Sequence, residues 1–204
     1  MALINQATRE LQIKIVYYGP ALCGKTTNLQ QVHANIQTAP GEKGKLVSLA
    51  TSSDRTLFFD FLPVEAMSIK GYKTKFQLYT VPGQVIYNTT RQLVLRGVDG
   101  IVFVADSQYE KMAENVESFA NLEENLKALK LNLADIQYVL QYNKRDLPSA
   151  APVEYLEYVL NNREVLVPSF TASAVSCEGV FETLNMITRL LLQKFISESA
   201  RQTA

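Results

Sequence analysis

Gly19, Gly24, Lys25 and Thr26 stand at the spacing G-x-x-x-x-G-K-T, between the apolar run "QIKIVYY" (12–18) and the helix-like "NLQQVHANIQ" that starts at Asn28. Strand, glycine loop, then helix is the context a phosphate cradle needs. The glycines let the backbone aim its N–H groups inward, and the helix N-terminus adds the positive end of its dipole. Lys25 is placed to meet the β and γ phosphates of a nucleotide, and Thr26 offers a hydroxyl to Mg²⁺. Ala21, Leu22 and Cys23 inside the loop and Thr27 after it belong to the same nucleotide-binding segment.

A second group, Asn143, Lys144 and Asp146 in "NKRD", follows the run "QYVLQY" (137–142). The carboxylate of Asp146 can accept from both the N1–H and the 2-amino group of guanine. Adenine presents an acceptor at N1 and nothing at C2, so it would leave the carboxylate unpaired. Asn143 is suited to brace the loop, and the stem of Lys144 to lie along a base. Behind the last strand-like run, "ASA" at 172–174 places the backbone of Ser173 and Ala174 where it can support Asp146.

The elements that must position these groups read as an alternation. Beta-rich apolar runs occur at 12–18, 46–50, 57–63, 73–81, 100–106, 137–142 and 167–171. Between the later ones lie helical stripes: Met112, Val116, Phe119, Leu126 and Leu129 in one, and Val180, Leu184, Ile187 and Leu191 in the other. Both stripes read as core-facing. "LFFDFLP" and "KTKFQLYTV" are joined without a helix signal, so they form an antiparallel hairpin at one edge. The remaining strands pair in parallel through right-handed crossovers. The expected fold is α/β: a three-layer P-loop NTPase architecture, with a mostly parallel sheet and one antiparallel edge strand.

With 204 residues and 47% hydrophobic content the chain suits one domain, 1–204. Twenty basic residues balance twenty acidic ones, which gives no reason to expect nucleic acid or an anionic surface as partner. One of only two cysteines, Cys23, sits in the phosphate loop, where a disulfide would lock a segment that must wrap a ligand. Reduced thiols in a cytoplasm are expected. The start "MALINQATRE" lacks a signal-peptide pattern, Ala2 excludes myristoylation, and no run approaches bilayer-spanning length. No direct membrane anchor is therefore expected. His33, the single histidine, reads as a surface or boundary residue.

In their order along the chain, the G-K-T loop, the N-K-x-D group and the Ser-Ala pair resemble the small Ras-like GTPases. The strings "KIVYYGPALCGKTTNLQ", "SLATSSDRTLFFDFLP", "YTVPGQVIYN" and "GVDGIVFVADSQ" narrow the resemblance to the MglA-type bacterial branch, over roughly Ile4 to Leu192. The resemblance implies a GTP/GDP switch with Mg²⁺. Gln84 would orient the attacking water, Gly83 would donate its N–H to the γ-phosphate, Thr56 would bind Mg²⁺, and Arg55 would act as an arginine finger in cis. A solvated loop cation is the other reading of Arg55. The implied partners are a roadblock-fold GTPase activator of MglB type and polarity effectors of response-regulator type, with recruitment to a cell pole.

Two positions depart from the Ras pattern. Thr80 stands where an aspartate usually holds Mg²⁺ through a water, as it does in the MglA-type branch. Asp60 is a candidate substitute, or equally a structural carboxylate. Ala21 stands where glycine is usual, and its methyl leaves the backbone donors intact while crowding the space a catalytic group must enter. Slow hydrolysis with intact binding is the expectation, and a GTP-binding scaffold with negligible hydrolysis is the competing one. An ATP-dependent kinase would leave N-K-x-D without a purpose.

Overall fold

The computed structural model of the chain describes residues 3–5, 8–35, 47–50, 56–69, 71–84, 87–162 and 165–202. In chain order the elements are β1 (Leu3–Asn5), β2 (Glu10–Tyr18), α1 (Lys25–Asn35), β3 (Val47–Ala50), β4 (Thr56–Ile69), β5 (Tyr72–Thr80), α2 (Asn88–Leu95), β6 (Gly100–Asp106), α3 (Met112–Ala128), β7 (Gln137–Asn143), α4 (Val153–Leu160), β8 (Ser169–Thr171) and α5 (Val180–Gln202). All of β6, and all of β7 after its first residue, is buried. Strands buried on both faces belong at the centre of a parallel sheet. β5, β2, β6, β7 and β8 do pair in parallel in that spatial order.

β4 runs against β5, with Phe61 opposite Tyr79 and Val64 opposite Phe76, so the hairpin expected from the sequence is present. β3 pairs antiparallel outside β4, which places the reversed strand one position in from that edge. β1 adds a short antiparallel pairing along the start of β2.

Alternation along β2 splits the core into two layers. Leu11, Ile13, Ile15 and Tyr17 pack with Leu29 and Val32 of α1 and with Val180, Leu184, Ile187 and Leu191 of α5. Val16 and Tyr18 face the other way, toward Leu95 of α2, Phe119 and Leu122 of α3, and Leu156 of α4. The α5 stripe is core-facing as read. On α3, Met112, Phe119 and Leu126 are buried as read and Leu129 packs against the core, but Val116 is 46% exposed, while Asn115, Asn121 and Asn125 are buried with Leu122. The buried face of α3 carries amides at positions that an apolar count skips.

This topology gathers the candidate residues at one edge. Tyr17 lies opposite Thr80, and Asp106 opposite Asn143, so β2, β5, β6 and β7 all end on the same side. Because β5 and β6 flank β2 on opposite sides, the loop leaving β2 opens at a topological switch point, where open α/β sheets bind ligands.

Candidate nucleotide-binding site

β2 stops at Tyr18 and α1 begins at Lys25, so the glycine loop runs directly into a helix N-terminus. Lys25 is buried, and its Nζ donates to Gly19 O at 3.0 Å and Pro20 O at 2.6 Å, which holds the loop closed on itself. Leu22 takes a left-handed backbone, φ 60°, a conformation that costs an L-residue roughly 1 kcal/mol or more and clusters at ligand sites. Gly24 has φ +101°, and a Cβ there would fall 2.2 Å from Asn143 Nδ2, so the position admits only glycine. Cys23 is fully buried. Burial pushes its thiol pKa up, against the opposing charge of Lys25.

The N-K-x-D loop is tied to this cradle by one side chain. Asn143 Nδ2 donates to Cys23 O at 2.7 Å, and Asn143 Oδ1 accepts from the Ala174 N–H at 2.8 Å. A single buried amide therefore fixes three segments that lie far apart in sequence. Lys144, also left-handed at φ 65°, pairs its Nζ with Asp106 Oδ2 at 2.6 Å, and Asp106 is 1% exposed. Its charge is committed there. The Arg145 N–H donates to Ala172 O at 3.0 Å, pinning the loop, and Asp146 is left exposed at its tip. The Ser173 N–H donates to Glu178 O at 3.0 Å, so neither backbone N–H of the pair is directed at Asp146. Among the described residues the buried Ser173 hydroxyl has no hydrogen-bond partner.

Across the loop, Gly83 rests against the backbone of Ala21: a Cβ on Gly83 would fall 2.3 Å from Ala21 Cα. A cleft opens beside this contact, lined by Leu22, Thr26 and Thr27 on one wall and by Val81, Gln84 and Tyr87 on the other. Thr80 is fully buried at the end of β5. The β4–β5 pairing ends with Phe61 opposite Tyr79, the residues next to Asp60 and Thr80, and Asp60 pairs with Ser48 of β3. Thr56 opens β4, and Arg55, Val85 and Ile86 lie outside the described residues.

Residues 47–193 match the model of the Ras family. The chain belongs to the Ras family. Over 192 residues it is 55% identical to the mutual gliding-motility protein MglA of Myxococcus xanthus (strain DK1622), covering 94% of this chain and 96% of that one, which places it among the MglA-type Ras-like GTPases. It is also 29% identical over 140 residues to the Ras-related protein Rab-13 of Canis lupus familiaris, covering 68% of this chain and 66% of that one. The Rab-13 of Rattus norvegicus matches to the same extent.

Within this Ras-family site, sequence reasoning missed two groups. Asp106 closes the strand "GIVFVAD" and reads as a strand end, yet it anchors Lys144. Arg91 is wholly buried on α2 and donates from Nε to Pro82 O at 2.9 Å and from Nη2 to Gly83 O at 2.5 Å. Its signal was positional: Arg91 shares the i, i+3, i+4 stripe with Val94 and Leu95, the buried face of α2.

Proposed function

We propose that this Ras-family chain is a nucleotide-gated switch that binds GTP or GDP with Mg²⁺ and hydrolyses GTP slowly, its GTP form recruiting partners. The observation that carries the reading is Asn143, whose one side chain joins the phosphate loop, the N-K-x-D loop and the Ser-Ala segment at a single sheet edge. Only a ligand with phosphates at one end and a base at the other makes use of all three.

In this reading the N–H groups of residues 22–27 and the ammonium of Lys25 hold the phosphates, Asp146 selects guanine, and Ser173 and Ala174 complete the base pocket. The donors suit Mg²⁺, a hard ion held by oxygens: Thr26 on the cleft wall, Thr56 at the start of β4, and Asp60 on β4 next to Phe61, which pairs with Tyr79. The bound ion neutralises charge on the phosphate oxygens. Gly83 donates its N–H to the γ-phosphate, Gln84 orients the attacking water, and Arg55 stabilises charge on the transferring oxygens.

In this reading hydrolysis is slow because Ala21, whose backbone lies against Gly83, carries a methyl that crowds the space a catalytic group must enter. Ala21→Gly is expected to raise the single-turnover rate roughly 10- to 100-fold with little change in GDP affinity, since a misplacement of about 1 Å is worth that much. Equal rates would remove the argument. By likeness to the gliding-motility protein, the chain serves motility or polarity from a cell pole, answering to a roadblock-fold activator of MglB type and acting on effectors of response-regulator type. GTP turnover titrated with such a roadblock protein tests catalysis and partner together: acceleration supports the switch, and a flat titration removes the activator.

A second reading, a GTP-bound scaffold without significant turnover, is favoured by alanine at position 21 of the phosphate loop and by the uncharged, fully buried Thr80. The nucleotide recovered from the purified chain separates them: mostly GDP for the hydrolase, mostly GTP for the scaffold.

A further inference from the structure

Arg91 is 0% exposed, and among the described residues its bonds all end on neutral oxygens: Pro82 O, Gly83 O, Tyr18 OH at 3.3 Å and Asn121 Oδ1 at 2.5 Å. A buried cation is costly wherever its donors are unmet, so its bonds reveal what the position serves. Two of the four hold consecutive carbonyls of the turn that sets Gly83 on Ala21. A third reaches Tyr18, the residue immediately before the phosphate loop, whose ring also lies 5.1 Å beneath the guanidinium.

The network continues into α3. Tyr18 OH donates to Asn121 Oδ1 at 2.7 Å and accepts from Asn125 Nδ2 at 3.0 Å. Asn125 and Asn121 both donate to Asn88 Oδ1, at 2.7 and 3.2 Å, and Gln92 Nε2 donates to Asn125 Oδ1 at 2.9 Å. Asn88, Arg91 and Gln92 thus lock α2 onto the amide face of α3. A guanidinium is a rigid planar fork. Gly83 cannot leave Ala21 without breaking the Nη2 bond or carrying α2 with it.

We propose that Arg91 is a positioning residue that pins the Pro82–Gly83 turn over the phosphate loop, so that a γ-phosphate at Gly83 is reported to the α2–α3 interface through Tyr18, Asn121 and Asn125. The inference rests on the nucleotide reading above and deepens it. It assigns Arg91 to GTP-versus-GDP discrimination and to the seating of Gln84, not to nucleotide binding as such.

The test uses the full chain, with Arg91→Lys and, should that variant fail to fold, Asn121→Leu, which removes one acceptor of the fork. Affinities for GDP and for a non-hydrolysable GTP analogue are measured with Mg²⁺, alongside single-turnover GTP hydrolysis. GDP affinity is expected to stay within about 3-fold, while analogue affinity falls roughly 10-fold and hydrolysis roughly 100-fold. A merely structural role would weaken both nucleotides equally, and that result overturns the proposal, as does no change in either. If the unsubstituted chain binds neither guanine nucleotide, the site reading itself fails and this inference with it. Normal binding by the unsubstituted chain together with unaltered discrimination in both variants overturns this inference alone.

Discussion

A methyl group on residue 24 would lie 2.2 Å from the amide that ties the phosphate loop to the base loop, on a backbone with φ +101°. Gly24→Ala is therefore expected to weaken GDP binding by about 10- to 100-fold, the equivalent of 1–3 kcal/mol of local strain, as read by calorimetry. The neighbouring thiol gives a chemical readout. Burial raises the Cys23 pKa, so less thiolate is present at any given pH below it, and the pH profile of its reaction is displaced upward. Cys177 is half-buried. Titration of the native chain with a disulfide reagent is expected to show about one fast thiol, and two once denatured; two fast thiols in the native chain would contradict the packed loop. At this scale the cradle residues were legible because their chemistry is local, set by backbone conformation and strict spacing. Arg91 and Asp106 were not. An isolated arginine or aspartate reads as surface, and only the tertiary fold supplies the carbonyls and the lysine that make their burial tolerable.

Helix α3 carries its positioning role on amides. Asn115 both accepts from the Asp106 N–H at 2.9 Å and donates to Asp106 O at 2.8 Å, holding the end of β6 next to the Lys144 anchor. Asn115→Ala leaves two buried backbone groups unpaired and is expected to cost about 2–4 kcal/mol in denaturant unfolding, whereas Val116→Ser, on the exposed side, stays within about 0.5 kcal/mol. The reverse order would restore the reading that put Val116 in the core. That reading failed because an apolar count cannot register a buried asparagine. The β4–β5 hairpin and the all-buried β6 and β7 were legible, since period-2 patterns and continuous apolar runs declare their environment. Short α2 and α4 went unread. Each buries only two or three side chains, such as Leu156 and Leu160 on α4, too few to set a period.

For the molecule as a whole, the sheet order matters more than any one side chain. Four strands end together at Tyr18, Thr80, Asp106 and Asn143, and each hands the chain to a segment of the candidate site. That convergence was foreseeable from the alternation of strands and helices, because right-handed crossovers leave few other topologies. It gathers the site along one sheet edge, with the Gly83 turn resting on the phosphate loop and the exposed Asp146 in the N-K-x-D loop. No helix among the described residues is long and apolar enough to cross a membrane. The most direct test is an equilibrium titration of the nucleotide-stripped chain, with Mg²⁺ present, against GDP, GTP and ATP. Tight binding of both guanine nucleotides with ATP at least about 100-fold weaker is the expected result, the loss of two hydrogen bonds to a charged carboxylate being worth that much. Equal affinity for ATP, or no binding of either guanine nucleotide, would contradict it.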